Sequence, residues 1–354
     1  MSVLTDKVNI TPDAVCWATN YEGIGNSYGY SVHNARSREA IQAAGVRIDR
    51  NAAVAFHVAP AHLFKPIPGK INILYMAWET DALPAAHCNG IVRADAVIVT
   101  ASFLLDVVRR EFSNKPVFLC HEGVDTVRYA FRRRERPAGK PFRFLWVGAP
   151  NARKGWELAL SAWPAFVHDG RVELYLKTTI TNRFERYRNV IFDSRNLSQD
   201  DMVELYHSAH AFVFPSFGEG FGLTLAEAMS TGLPVLYTPW SSLTDLADAT
   251  CGYPLRFRIL PAWATPEGGL STETQRPNDR AVRTRLAQAD TDDLAGQMMH
   301  VFKNYSKAAR KGIRAAERIR KRFTWDRTGA RLAAILKEVC ETCQPALTCA
   351  RVTA

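Results

Sequence analysis

The chain has 354 residues, of which 47% are hydrophobic and 23% charged, a composition that excludes disordered and fibrous classes and leaves room for two ordinary domains. No run approaches the ~20 apolar residues of a membrane span and no apolar stretch follows a basic start, so a cytoplasmic protein is expected. The formal charge of +10 is concentrated, with +9 between Lys303 and Arg331 and +5 between Arg128 and Lys140. Two basic patches, residues 128–140 and 303–331, imply contact with a polyanion (nucleic acid or an anionic membrane face), although a solvated helix and a charged linker would give the same count.

In chain order, the spacing predicts a strand at Asp13–Thr19, then the loop Gly23-Ile24-Gly25-Asn26 and a helix to about Ala44 capped by Gly45. Further strands are predicted at Ala52–His57, Ile71–Tyr75, Asp95–Thr100 and Val117–His121, with helices between them. Such alternation implies a parallel sheet covered on both faces. The charge, proline and glycine of Arg128–Pro141 break the pattern and mark the domain boundary. A second α/β set begins at Phe142–Gly148 and includes the strand Val172–Leu176, which Lys177 closes. Residues 256–290 read as an irregular surface excursion, followed by two or three helices with Phe323–Asp326 separating the last two. The domains expected are therefore 1–135, 136–324, and a terminal helix and tail at 325–354. Asp290-Thr291-Asp292 opens a helix, where capping aspartates are common, and does not end a buried strand as a metal-binding pair would. Cys340, Cys343 and Cys349 lack a fourth zinc ligand nearby and read as incidental thiols of the tail. No bound metal or cofactor is expected.

The most informative stretch runs from Gly218 to Met229. The apolar strand Ala211–Phe214 leads into Gly218-Glu219-Gly220-Phe221-Gly222, and a helix should begin near Gly222 and end at Gly232. Leu233–Tyr237 is the next strand. In such a βαβ unit the loop lies at the carboxyl end of the sheet, where ligands of open α/β folds bind. The glycines let backbone approach a ligand, and the first-turn N–H groups of the helix, from Leu223 on, suit a phosphate. Glu219 and Glu227 would stand roughly 10 Å apart at ~1.5 Å rise per residue plus the loop. That is too far for paired acid–base work on one bond. It suits gripping the two sugar-like ends of a ligand with phosphate between them, as in a nucleotide-sugar. Arg153-Lys154-Gly155 follows the first strand of the second set, and these cations suit a diphosphate whose charge grows as it leaves. A helix-opening surface pair is the competing reading.

The segment from Gly218 through Val235 resembles the E-x7-E signature of retaining glycosyltransferase family 4, whose members have the GT-B fold. The resemblance implies two Rossmann-like domains facing a central cleft that closes by hinge motion, with a C-terminal helix, here about Trp325–Val339, crossing back to the first domain. It implies that Glu227 binds the ribose, that Glu219 sits beside the donor sugar, and that the amides of Gly220, Phe221, Gly222 and Leu223 contact sugar and diphosphate. Arg153 and Lys154 are similar to the family's R-K-G, although the arginine many members place directly after the strand's glycine is Ala149 here. His57 matches a histidine placed against the donor sugar, with a satisfied core histidine as the alternative. Met76–Pro84 resembles the family's W-E-x-x-x-x-P segment, which would let Trp78 stack on a sugar and Glu79 bind a hydroxyl on the acceptor side. Trp78 packing under a loop is equally open. Gly25 falls in what resembles the glycine loop of the first domain, and Lys177 is placed to reach the phosphates or base or to be an ordinary strand-end lysine.

The function implied is retaining, metal-independent transfer of a hexose from a nucleoside-diphosphate sugar to a glycan, lipid-linked or nucleic-acid acceptor, with the nucleotide-sugar as co-substrate. A GT-B nucleotide-sugar epimerase and a non-catalytic sugar-nucleotide-binding subunit are the alternatives. A peripheral position at the inner membrane face would follow if the patches meet lipid.

Overall fold

A computed structural model describes residues 13–18, 28–166, 169–179, 187–265, 267, 270–271 and 278–350, the side chains of 28, 271 and 343–350 excepted. The chain divides into two compact units: Met1–Trp78, Leu83–Glu122 and Trp325–Ala354 form the first, and Glu79–Ala82 with Gly123–Thr324 the second. The division falls upstream of the proline- and charge-rich segment, which belongs wholly to the second unit. It also cuts the Trp78-Glu79 pair, so the two residues belong to different units.

The first unit contains β1 (Ala14–Trp17), α1 (Tyr28–Ala43), β2 (Arg47–Ile48), β3 (Val54–Val58), β4 (Ile71–Met76), α2 (Ala85–Arg93), β5 (Ala96–Val99), α3 (Ser102–Glu111) and β6 (Val117–Leu119). Its sheet runs β2-β1-β3-β4-β5-β6, all parallel. β3, β4 and β5 are buried along their whole length, as strands covered on both faces are, and His57 and Asn72 are the polar residues among them.

The second unit contains β7 (Phe142–Val147), α4 (Trp156–Ala162), β8 (Val172–Lys177), β9 (Val190–Asp193), α5 (Gln199–Ser208), β10 (Ala211–Phe214), α6 (Leu223–Ser230), β11 (Val235–Tyr237), α7 (Leu243–Leu246), β12 (Tyr253–Pro254), β13 (Phe257–Ala264), β14 (Leu270–Ser271), β15 (Val282–Ala289), α8 (Thr291–Lys303) and α9 (Tyr305–Arg322). The parallel sheet runs β12-β11-β10-β7-β8-β9. Alternation along the strands sends Leu145, Phe212 and Phe214 to one core with α5, α6 and α9. Phe144, Trp146 and Val213 go to the other, with α4 and α8.

The chain ends in α10 (Trp325–Ala350), which returns to the first unit and packs Leu332, Ile335, Leu336 and Val339 into its core. Cys340 lies in that core at 3% exposure, which corrects its reading as an incidental tail thiol. The helix extends beyond the expected end at Val339.

Residues 256–290 are also corrected. In place of an irregular excursion, β13 and β15 form an eight-pair antiparallel ladder, with Phe257 opposite Ala289 and Ala264 opposite Val282. The alternation is obscured in sequence by Arg258, Pro261, Arg283 and Arg285, which sit on exposed positions of the hairpin. Asp290 caps α8 as expected, accepting from the N–H of Asp293.

Candidate functional site

In the second unit the strand order reverses between β7 and β10, which lie side by side. A topological switch point of this kind opens a crevice at the carboxyl ends of the two strands. The loops that leave there carry Arg153-Lys154 after β7 and Glu219 after β10.

Local chemistry fixes both loops. Asn151 caps the short turn by accepting from the N–H of Lys154, and Trp146 Nε1 donates to the Lys154 carbonyl at 3.1 Å. Gly155 then reverses the chain at φ 70°, and a Cβ there would lie 2.0 Å from the Pro215 carbonyl oxygen, so only glycine brings the two loops together. Phe217 N–H donates to the Arg153 carbonyl at 2.8 Å, and the Arg153 guanidinium donates to the Gly218 carbonyl.

Glu219 is 5% exposed and lies at the centre of this arrangement. Lys154 Nζ donates to both its oxygens at 2.9 and 2.7 Å, Ser216 Oγ donates to Oε1 at 2.6 Å, and Arg153 Nη1 lies 3.3 Å from Oε1. Burial opposes ionisation, but the Lys154 ammonium and Arg153 guanidinium outweigh it and hold the carboxyl below its ordinary range. Arg153 Nη2 also reaches Glu79 Oε1 at 3.3 Å. Two cations thus face two carboxylates, and a diphosphate entering here would compete with Glu219 and Glu79 for them. The backbone of Glu219 is held as firmly: its N–H donates to Ser241 Oγ at 2.8 Å, and Ser242 Oγ donates to its carbonyl at 2.8 Å.

Gly222, at φ 101°, opens α6. The first-turn N–H groups of a helix have no partner within it, which makes this end of α6 a place for anionic oxygens. Glu227 lies further along the helix at 6% exposure. Its Oε2 accepts from Tyr206 at 2.9 Å, and Tyr129 also bonds the carboxyl. No cation faces it among these partners, and burial raises its pKa to about 7, with the two tyrosines working the other way. Two carboxyls of one sequence motif therefore differ in state: one is ionised against cations, the other poised near neutrality.

Gly220 and Phe221 are buried in the Glu219 loop and Leu223 is half-buried at the start of α6. Lys177 closes β8, and its ammonium donates to the carbonyls of Asp193 and Arg195 at 3.2 and 2.7 Å, beside β9 and away from the switch point. Glu79 belongs with Arg153, as described above. Trp78 is in the first unit at 3% exposure with its ring 4.2 Å from that of His87, the surroundings of a packed residue. His57 is fully buried in β3, with Nε2 3.0 Å from Asn72 Oδ1 and its ring edge-on to Phe64, so the core alternative describes its position. Gly25 and the rest of its loop lie outside the described residues.

Ser216, Ser241, Ser242, Tyr129 and Tyr206 are the site residues that sequence reasoning missed. Serines after a strand and tyrosines on a helix or in a linker are ordinary, and only the packing of α5 and the linker against α6 brings the tyrosines to Glu227.

The profile of the family described as glycosyl transferases group 1 matches residues 141–256, the part that holds β7 to β12. The chain is similar to O-antigen chain mannosyltransferase B of Escherichia coli, 49% identical over 47 residues, which is 13% of this chain and 12% of that protein. It is also similar to the serotype-specific mannosyltransferase WbdA of Escherichia coli, 33% identical over 121 residues, covering 31% of this chain and 15% of WbdA. The matches thus span a small fraction of these relatives' length. Among solved structures, the sucrose-phosphate synthase of Thermosynechococcus elongatus superposes with a TM-score of 0.59 at 16% identity over 90% of this chain and 81% of that one. TarM superposes with a TM-score of 0.55 at 13% identity, over 80% of this chain and 54% of that one. The fold is GT-B.

Proposed function

We propose that the chain is a retaining glycosyltransferase that takes a hexose from a nucleoside-diphosphate sugar. The observation that carries this reading is the pair of buried glutamates at the switch point of the second unit, with cations at one and the N-terminus of α6 between them. Glu227 accepts from the ribose hydroxyls, the α6 amides and Arg153-Lys154 hold the diphosphate, and Glu219 faces the sugar. In transfer, the bond from the anomeric carbon to the diphosphate oxygen breaks, the bond to the acceptor oxygen forms, and the acceptor's proton passes to the departing phosphate. Charge develops on that phosphate, so its attraction to Arg153 and Lys154 is stronger in the transition state than in the bound donor. The positive charge that the departing diphosphate needs is supplied by Arg153 and Lys154, which supports a reaction without a metal.

The names of the relatives make mannose the first sugar to try and a glycan the first acceptor. Contact with an anionic membrane face is a further part of the proposal, carried by α9. Lys307, Arg310 and Lys321 are exposed there and have no partner among the described residues. Much of the remaining patch is occupied: Lys311, Arg314 and Arg318 bond carbonyls or Asp248, and Arg134 of the other patch is buried. No helix among the described residues is long and apolar enough to cross a membrane.

The deciding experiment incubates the protein with a panel of nucleotide-sugars, without metal, and quantifies the nucleoside diphosphate released. Slow hydrolysis of one donor, abolished by Glu227→Ala, is expected. A changed nucleotide-sugar with no diphosphate released would indicate an epimerase, and binding with no turnover in the presence of acceptors a binding subunit.

A further inference from the structure

The hairpin of β13 and β15 lies between β12 and α8, and none of its side chains takes part in the donor site. In an antiparallel ladder, directly opposed residues share a face. Pro261 opposes Arg285 and Trp263 opposes Arg283, so Ile259, Pro261 and Trp263 share one face with the two arginines. Ile259 is 40% exposed, an unusual setting for a large apolar side chain in the middle of a ladder. The opposite face buries Leu286, Ala262 and Ala264 against the unit.

β15 is the edge of this sheet, and the segment Glu79–Ala82 lies along it. Asp81 Oδ1 accepts from Thr284 Oγ1 at 2.8 Å and from the Arg285 N–H at 2.9 Å, while Oδ2 accepts from Arg285 Nε. These groups line an open cavity of about 430 Å³, formed by Asp81, Ile259, Pro261, Arg283, Thr284 and Arg285. That volume lies within the range of small-ligand sites. Neither Arg283 nor the Nη groups of Arg285 have a partner among the described residues.

The cavity borders the Glu219 loop. Ala287 N–H of β15 donates to the Phe217 carbonyl at 3.0 Å. A Cβ on Gly218 would lie 2.8 Å from the Glu79 carbonyl oxygen and 3.6 Å from Leu286. Glu79 and Asp81 are two residues apart, at most ~7 Å along an extended chain. The same short segment thus lines the cavity through Asp81 and holds Arg153 through Glu79.

We propose that this cavity is a subsite for the acceptor glycan, built on the second unit. The proposal rests on the transferase reading of the Glu219 loop. The apolar faces of Ile259 and Pro261 offer a surface to the C–H side of a sugar ring, Arg283 and Arg285 donate to hydroxyl oxygens, and Asp81 accepts from a hydroxyl. The charge argues for a neutral glycan: Asp81 balances Arg285 and would repel a phosphate, leaving a single uncompensated cation in Arg283. Arg285, fixed by Asp81, is pre-oriented for its donors, which reduces the ordering cost of binding.

The test titrates the full chain with mannotriose, maltotriose and triacetylchitotriose by saturation-transfer NMR, in wild type and in the Arg283→Ala and Ile259→Asp variants. Both substitutions are at exposed positions outside the donor machinery, and donor hydrolysis is measured on each protein alongside. The expected result is that one trisaccharide binds the wild type, that each variant weakens it tenfold or more, and that donor hydrolysis is unchanged. If Ile259→Asp impairs folding, Arg283→Ala alone decides. No binding of any trisaccharide, or wild-type binding in Arg283→Ala, overturns the subsite. Binding that is confined to phosphatidylglycerol vesicles and lost in the variants also overturns it, by making the face a lipid contact. Trisaccharide binding at the hairpin without hydrolysis of any nucleotide-sugar would sink the transferase reading and leave a glycan site.

Discussion

Glu227 has the property on which donor binding should turn. Its carboxyl is buried with two tyrosines and no cation, and its pKa stands at about 7. A ribose presents two hydroxyl donors, which a carboxylate accepts and a protonated carboxyl satisfies only in part. Donor affinity should therefore be highest above pH 7 and fall as Glu227 protonates, by at most tenfold per pH unit, until the weaker binding of the protonated form is reached. Glu227→Gln should weaken the donor and remove that slope, which calorimetry at several pH values would read. Glu219→Gln is expected to behave differently. It leaves Lys154 and Arg153 buried without their shared counter-charge, so turnover should drop by about 10² to 10³ with a loss of stability as well. The two glutamates were both legible in sequence because glycines and strand edges framed them. Their opposite states were not, because those depend on Lys154, Arg153, Tyr206 and Tyr129, which reach them from other elements. His57 and Trp78 show the reverse case: each falls at a strand end where a site residue is expected, yet the fold turns each side chain into the core.

At the scale of elements, the helix that carries Glu227 depends on a cation from the basic linker. Arg134 is 8% exposed and donates to the carbonyls of Tyr206, His207 and Ala209 at the end of α5, and to that of Thr231 at the end of α6. Helix ends leave such carbonyls without partners, and one guanidinium satisfies both ends at once. Arg134→Ala should destabilise the second unit by about 3 kcal/mol, a fall in melting temperature of roughly 6–12 °C, whereas Arg133→Ala on the exposed surface should change it little. Arg134→Lys should recover only part, since an ammonium has three donors and no planar fork. An equal loss in Arg133→Ala would mean that the linker acts through its net charge. In sequence these arginines are one run of like charge, and nothing local separates the buried one from its neighbours. The parallel sheets were legible because their buried strands are short, predominantly apolar runs set between helical segments. The β13–β15 hairpin was not, because its exposed face mixes Ile259, Pro261 and Trp263 with arginines and gives no clean two-residue period.

Over the whole molecule, the buried titratable groups set how stability varies with pH, and they separate by window. His33 and His210 are lowered by burial to about 3 and about 4, so they stay neutral in the fold and contribute stability that grows as pH rises to their ordinary 6.5 and is constant above it. Glu219, Asp81 and Asp193 sit below their ordinary range, and their contribution is complete above about pH 5. Glu227 binds a proton in the fold up to about pH 7. Glu122 does so further: it is buried beside His33, whose Nδ1 is 3.4 Å from Oε1, and burial raises its pKa to about 8. Between pH 7 and 8 the unfolded chain holds no proton on Glu122 while the folded chain holds most of one, so stability must fall as pH rises. The drop from Glu122 across that unit is about 1 kcal/mol. Glu122→Gln keeps the shape and removes the proton, so its denaturation midpoint minus that of the wild type should increase from pH 7 to 8. Parallel curves across that interval would place the Glu122 proton elsewhere and make His33 the protonated partner of the pair.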